Sequence, residues 1–278
     1  MIPGLPFAWH LPALAAIVLT LAAFWTFSLS TRRRVEVLGV LLAATAVLAW
    51  PMGSLAQSVS LSAAVIQRLV LMVLVVPVLL RAIPSSVVER LTRPRIIDAV
   101  SFQLSRPLPA IVAVTVVGTL TLVPVTINWA ARSWIGNGVV IAATVACGVV
   151  LWIPALVVLP GSQHLSPAGR AGYVFVAALV VTSFSLVWIF ATHPLYSGLH
   201  GQEEILGITP LFDQQLAGFI AKLGAYGPLW AVSFVIFMRA DVAAESVEET
   251  PLHWADVERH LLRADRRRER SQRRGSPG

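Results

Sequence analysis

Long apolar runs separated by short polar stretches account for most of the first 240 residues. The runs lie at 9–30, 37–53, 62–80, 108–131, 138–160, 171–193 and 215–238. An α-helix of about 20 apolar residues is long enough to cross the hydrocarbon core of a bilayer. The pattern therefore predicts an all-α fold, a polytopic membrane bundle of seven transmembrane helices. The run at 37–53 is the shortest of them.

Proline interrupts several of these predicted helices. The residues concerned are Pro77, Pro124, Pro154 and Pro228. A proline inside a helix has no N–H to donate, so a carbonyl of the preceding turn loses its partner. Because lipid offers no hydrogen bonds, we expect neighbouring helices and polar side chains to satisfy these carbonyls.

The residues after the last apolar run differ sharply in composition. We therefore divide the chain into a transmembrane domain, 1–240, and a basic tail, 241–278. Thr250 is a good helix N-cap and Pro251 suits the first turn, so the tail is predicted to begin a surface helix there. We expect this basic segment to lie against anionic membrane lipids or to remain disordered, and either to set the topology or to dock a partner.

Composition supports the membrane interpretation. The chain is 56% hydrophobic and only 13% charged, with a mean hydropathy of +0.76, which is too little charge for a soluble surface. The net charge of +7 is compatible with nucleic-acid binding. However, the basic residues flank apolar runs and lack interleaved aromatic side chains, so we predict no nucleic-acid partner.

The arginines orient the predicted bundle. With the amino terminus outside, eighteen arginines fall on the inner side and only Arg132 falls in an outer loop. Cytoplasmic loops carry the excess of basic residues in membrane proteins. We therefore predict an outer amino terminus and a cytoplasmic carboxyl tail, in a plasma membrane of the bacterial type.

Two charged side chains lie inside predicted helices, Arg68 in the third and Lys222 in the seventh. A charge at such a depth costs at least ~2.5 kcal/mol unless it is paired or hydrated. One interpretation is a polar binding cluster in the outer leaflet, in which Asp213 neutralises one cation. Its members are Ser62, Gln67, Arg68, Asp213, Gln214, Gln215 and Lys222. The alternative is that both long side chains extend to the interface and serve structure alone.

Histidine is the other possible source of chemistry on the predicted outer side. His10, His193 and His200 lie there, and imidazole suits metals such as copper. No pair of histidines has ligand spacing on one helix face, so the three are candidate metal ligands without a defined geometry. Cys147 is the single cysteine, which excludes an intramolecular disulfide. Because no catalytic motif is present, we predict that the chain is not an enzyme.

Two segments resemble the CtaG family of cytochrome c oxidase assembly factors. Residues 62–72 read SAAVIQRLVLM, which is similar to the family's third-helix motif, and residues 213–218 read DQQLAG, which is similar to its seventh-helix motif. Trp50-Pro51 and the Pro-Leu-Tyr sequence at 194–196 also fit. The resemblance covers most of 37–235 and implies seven helices with an outer amino terminus.

The resemblance also implies a function, which is maturation of a haem-copper oxidase through copper delivery to its copper centre, with oxidase subunits as partners. The family has histidine where this chain has Ala64 and Arg68, and also near the outer end of the fourth helix, where residues 125–133 read VTINWAARS. A guanidinium at position 68 repels a copper ion. Our first hypothesis is therefore an oxidase-assembly membrane protein that binds a partner protein and lacks those copper ligands.

Two other functions remain open. One is an active copper chaperone or transporter that uses His10, His193 and His200. The other is a retinal-type photoreceptor, because the last predicted helix contains Lys222. That lysine lies only about two turns from the outer end, whereas a buried chromophore needs a lysine near mid-membrane.

Overall fold

The predicted all-α class is confirmed. The computed structural model describes the backbone of residues 5, 11–27, 29–156 and 165–248, together with side chains as far as residue 239. The described residues are 82% helical and contain no strand. It forms two compact units, 1–236 and 237–278. In the second unit the structure describes residues 237–248, which are helical.

The described helices range in length from 3 to 39 residues. They are α1 (Leu11–Trp25), α2 (Thr31–Leu48), α3 (Met52–Ser54), α4 (Leu61–Leu69), α5 (Val76–Ala82), α6 (Ser85–Thr92), α7 (Arg95–Leu104), α8 (Pro107–Leu120), α9 (Pro124–Arg132), α10 (Trp134–Leu156), α11 (Pro167–Val181), α12 (Ser185–Ile189), α13 (Gln202–Leu206) and α14 (Pro210–Glu248). Two wider π-helical turns, Leu55–Val59 and Val70–Val75, follow α3 and α4.

Four helical stretches of the described chain are long and apolar enough to cross a membrane. They are Leu61–Ala82, Trp134–Leu156, Pro167–Ile189 and Pro210–Arg239. Two bent pairs raise the number to six if each pair is one span: α2 with 52–59, bent by 56°, and α7 with α8, bent by 97°. The structure thus contains four to six candidate spans, and it does not confirm the predicted seven spans or their orientation.

Prolines explain much of the difference between the seven predicted helices and the observed ones. The predicted run at 108–131 divides into α8 and α9 immediately before Pro124, and the predicted loop at 81–106 contains α6 and α7. Pro84 and Pro94 immediately precede α6 and α7 in extended conformation. Pro107 begins α8, where its fixed φ suits the first helical turn. The first predicted run appears as α1, whose 15 residues are fewer than a perpendicular span needs.

The core lies where α5, α8, α10, α11 and α14 pack together. Its most buried members are small or apolar, including Ala110, Ala177 and Ala178, each 0% exposed. Small residues let helix backbones approach closely. At Gly148 of α10, an added Cβ would lie 3.2 Å from the Cα of Met72, so this helix packs directly on the π-helical turn.

The π-helical turn at 70–75 shows how one proline is accommodated. In this turn the N–H of Val76 donates to the carbonyl five residues back, so the next residue, Pro77, leaves the Met72 carbonyl without a backbone donor. The indole Nε1 of Trp152, from α10, donates to that carbonyl at 2.8 Å. The expectation that neighbouring helices satisfy carbonyls freed by proline is confirmed at this position.

Candidate functional site

Asp213, in the first turn of α14, caps the amino end of α4. One carboxylate oxygen accepts from Ser60 Oγ at 2.7 Å and from the Ser62 N–H at 3.3 Å, and the other accepts from the Leu61 N–H at 2.7 Å. The carboxylate is 1% exposed. A negative charge at a helix amino end is stabilised by free N–H groups and by the helix dipole.

The same contact is reinforced from the α4 side. Ser62 Oγ donates to the Asp213 backbone carbonyl at 2.8 Å, and Ser60 Oγ accepts from the Ala63 N–H at 3.1 Å. Ser62 and Asp213, both predicted site residues, are therefore in direct contact. The expectation that Asp213 neutralises a cation is not met, because the ion pair of the described residues is between Arg32 and Glu36.

The next residues of the DQQLAG segment bind the chain that precedes α13. Gln214 Oε1 accepts from the Leu195 N–H at 2.8 Å, and Gln215 Nε2 donates to the Ala191 carbonyl at 3.1 Å. Gln214 is 2% exposed, and its Nε2 atom is buried without a hydrogen-bond partner. Both glutamines thus hold residues 191–195 against α14.

The last two residues of DQQLAG allow close helix packing. Ala217 is 0% exposed. A Cβ added at Gly218 would lie 2.7 Å from Ile189 Cγ1 and 2.9 Å from the Ser185 carbonyl oxygen, so only glycine fits beside α12. The three polar residues of the motif thus each make a side-chain hydrogen bond, and its glycine fills a position where a Cβ would clash.

The segment at 190–201 lies across several helix ends. Tyr196 accepts from the Trp188 indole and donates to the Leu122 carbonyl at 2.7 Å. Gly198 N–H donates to Asn128 Oδ1 at 2.7 Å, and the His200 N–H donates to the Ser58 carbonyl at 3.0 Å. Burial raises the pKa of Tyr196 to about 12, because the charged phenolate would lose its hydration.

The other predicted cluster residues have separate partners. Gln67 Nε2 donates to the Val47 carbonyl of α2 at 2.8 Å. Lys222 Nζ donates to Thr182 Oγ1 at 3.1 Å and lies 5.4 Å from the centroid of the Tyr226 ring. Lys222 is about 13 Å along α14 from Asp213 at a rise of ~1.5 Å per residue. The residues therefore form several contacts along two helices, and no single group around Asp213.

Arg68 borders a cavity of about 110 Å³ between α4, α8, α10, α12 and α14. Its Nη2 atom donates to the Thr121 carbonyl at 3.2 Å. Its Nη1 atom is buried without a hydrogen-bond partner, and so is the Oγ1 atom of Thr115, which also borders the cavity. Most other lining residues are apolar, among them Val114, Trp188 and Leu229.

The candidate metal ligands are not brought together in the part of the chain that is described. His193 and His200 are exposed, and His10 lies outside the described residues. No group of three or more His, Cys, Asp or Glu side chains that could hold a metal occurs among the described residues. At the third-helix positions, Ala64 is buried and Arg68 presents hydrogen-bond donors, so these two residues do not fit a copper ion.

Some of the residues in these contacts are absent from the predicted set. Ser60 is one, although a serine directly before an apolar helical pattern is a recognisable N-cap signal. Thr115 and Thr182 are others, and a lone threonine in an apolar run has no sequence feature that distinguishes it. Thr115 and Thr182 both border the cavity beside Arg68 only because of the way in which α8 and α11 pack against α4.

The fold and these contacts define an all-helical, multi-pass membrane protein whose longest helix, α14, is tied to α4 through a buried carboxylate. Residues 17–240 match the sequence model of the cytochrome c oxidase caa3 assembly factor family (Caa3_CtaG), and the chain belongs to that family. The resemblance inferred from DQQLAG is thereby confirmed. No curated protein and no solved structure matches the chain.

Proposed function

We propose that the chain takes part in assembly of a haem-copper oxidase, supporting maturation of the copper centre by binding a partner protein in the membrane. It does so without catalysing a reaction. Its transmembrane domain, 1–240, lies in a bacterial plasma membrane with the amino terminus outside and the basic tail, 241–278, in the cytoplasm. The partner is a subunit of the oxidase.

The observation that carries this proposal is the family match over 17–240, together with the contacts of DQQLAG. In this chain the motif serves to hold α4, α14 and the segment at 190–201 in one arrangement, through Asp213, Gln214, Gln215 and Gly218. A motif used in this way preserves a shaped surface, and a shaped surface is what recognition of a partner requires.

Copper transfer by the third-helix positions is not part of the proposal. Copper ligands must offer a lone pair, whereas the Arg68 guanidinium offers only N–H donors and a fixed positive charge. Ala64 offers no ligand atom. A chain with these residues can still stabilise an oxidase subunit while another protein supplies the metal.

Co-purification tests the proposed partner. The tagged chain, extracted from its native membrane in mild detergent, should retain oxidase subunits at levels well above those on an equally tagged, unrelated multi-pass protein. Equal recovery on both baits would contradict the proposal. The Gly218→Val variant, which disturbs the packing of α14 on α12, should recover less oxidase than the Gly172→Ala variant, whose new Cβ meets no atom within 4 Å.

A copper titration separates this proposal from the chaperone alternative. The wild-type protein should bind no stoichiometric Cu(I), and the double variant Ala64→His with Arg68→His should gain affinity. Arg81→His, on the exposed side of the same continuous helix, is the matched control and should gain none. Tight, stoichiometric copper binding by the wild-type protein would contradict the hypothesis that the chain has lost its copper ligands. Its disappearance on replacing His10, His193 and His200 would establish the alternative.

A further inference from the structure

The cavity beside Arg68 has an unbalanced charge. No described carboxylate lies within 4 Å of the guanidinium. The one ion pair among the described residues joins Arg32 and Glu36. The carboxylate of Asp213, the acidic residue of the DQQLAG segment, instead accepts three hydrogen bonds at the amino end of α4. A second cation, Lys222, donates to Thr182, which itself borders the cavity.

Two unpaired donors also border this cavity. The Nη1 atom of Arg68 and the Oγ1 atom of Thr115 are both buried without hydrogen-bond partners. A buried donor that lacks an acceptor costs about 1–3 kcal/mol, and more when the group is charged. An oxygen acceptor between these two groups would remove both penalties, and a negatively charged acceptor would also balance the guanidinium.

Most of the remaining wall is apolar, although the hydroxyl residues Thr119, Thr121, Thr144, Thr182 and Ser185 also border the cavity. The apolar part restricts the chemistry of the acceptor. Val65, Leu69, Val114, Phe184 and Trp188 form much of it. A strongly hydrated inorganic anion would be paired only on the side of Arg68 and Thr115, and it would lose its water against the apolar part of the wall. A hydrocarbon tail would instead gain by leaving water or lipid for a fitted surface.

Size limits the ligand further. The cavity measures about 110 Å³, and an apolar cavity of about 150 Å³ is large enough for benzene. The cavity is smaller than that and partly open, so it encloses a carboxylate with about three tail carbons, and the end of a longer tail extends through the opening. A second, smaller cavity of about 20 Å³ shares Arg68 and Thr144 with the first and is also bordered by Gln57 and Asn137.

We propose that the cavity between α4, α8, α10, α12 and α14 binds an alkyl monocarboxylate. Its carboxylate pairs with Arg68 Nη1 and accepts from Thr115 Oγ1, and its tail lies against the apolar wall. The site does not depend on the oxidase-assembly proposal, since binding is measured on the isolated protein and needs no partner.

Thermal unfolding in lipid nanodiscs with neutral headgroups, followed by tryptophan fluorescence, tests this site. Hexanoate at tenfold excess over its Kd should raise the apparent Tm by roughly 3–6 °C. Three probes serve as controls. Hexanol lacks the charge, hexylammonium carries the opposite charge, and inorganic phosphate lacks the alkyl tail. Each should give less than half of that shift. An equal shift with hexanol, or no shift with hexanoate, would overturn the proposal.

Variants assign the effect to the cavity. Arg68→Gln should abolish the hexanoate shift and Thr115→Val should reduce it, while Arg81→Gln, exposed on the same continuous helix, should leave it unchanged. Arg68→Lys keeps a cation and should retain part of the shift, which covers the case in which Arg68→Gln does not fold. A full shift in Arg68→Gln, or equal losses in Arg68→Gln and Arg81→Gln, would contradict the assignment.

Discussion

Replacement of Asp213 by alanine should be among the most damaging single changes in the chain. The substitution leaves three buried donors without their acceptor: the Ser60 hydroxyl and the N–H groups of Leu61 and Ser62. Nothing in the 1% exposed environment of Asp213 lets bulk water replace the carboxylate. The amino end of α4 would then carry its helix dipole uncompensated.

The magnitude follows from these contacts. Each buried donor that loses its partner costs about 1–3 kcal/mol. The Ser60 hydroxyl can rotate to another acceptor, so we expect a total loss of about 3–5 kcal/mol in the free energy of unfolding. Asp213→Asn keeps one acceptor oxygen but turns N–H groups towards the donors, so it should cost about 2–3 kcal/mol.

Reversible unfolding in mixed micelles of dodecyl sulfate and a mild detergent, followed by tryptophan fluorescence, measures the two losses. Glu204→Ala is the matched control, because Glu204 is an exposed acidic residue of α13, shortly before the DQQLAG segment in the chain. It should change the free energy of unfolding by less than about 0.5 kcal/mol. If Asp213→Ala cost no more than Glu204→Ala, the assignment of Asp213 as the cap of α4 would be refuted.

Three further predictions follow from particular contacts. Gly218→Val should lower the free energy of unfolding by about 1–3 kcal/mol, because its side chain overlaps α12, while Gly172→Ala should not lower it. Trp152→Phe should cost about 1–2 kcal/mol, and this cost should shrink in a Pro77→Ala background, where a backbone N–H replaces the indole; equal costs in both backgrounds would disprove the role of the indole. The proton of Tyr196 is held more tightly in the folded state, so its contribution is present below pH 10 and is lost as pH rises to about 12. The stability of wild type should therefore fall over that range by up to about 2–3 kcal/mol more than that of Tyr196→Phe, and parallel pH profiles would disprove this.

The helical class was predictable because apolar periodicity and composition report directly on the solvent of a chain. The breaks were harder to place. A proline such as Pro124 announces that a helix will start or bend, but it does not say whether the halves continue as one span. Against the seven apolar runs, the described residues contain four to six candidate spans by length and composition.

In the candidate site, too, the DQQLAG segment was partly predictable from the sequence and partly not. Its identity as a family motif was visible in the sequence, and so was the possibility that Asp213 makes an important contact. The partner was not visible, because Ser60 and Leu61 are about 150 positions earlier in the chain and only the packing of α14 against α4 joins them. Cation neutralisation was the simpler expectation for a buried acid, but helix capping satisfies the carboxylate without a second charge.

Arg68 shows the opposite case. Its depth in an apolar helix already marked it as a functional candidate. Its surroundings depend on residues from other parts of the chain: Thr115 of α8, Thr121 after it, Cys147 of α10, and Thr182 between α11 and α12. No pattern within the third apolar run could report on a cavity whose walls come from the fourth to seventh runs.

The central claim is that the chain supports assembly of a haem-copper oxidase. The most direct test is the copper and haem content of the oxidase in membranes from cells whose gene for this chain has been deleted. We predict a reduced amount of copper-loaded oxidase, restored by the wild-type chain and also by a chain in which His193 and His200 are alanine. A full complement of copper-loaded oxidase in the deletion membranes would contradict it.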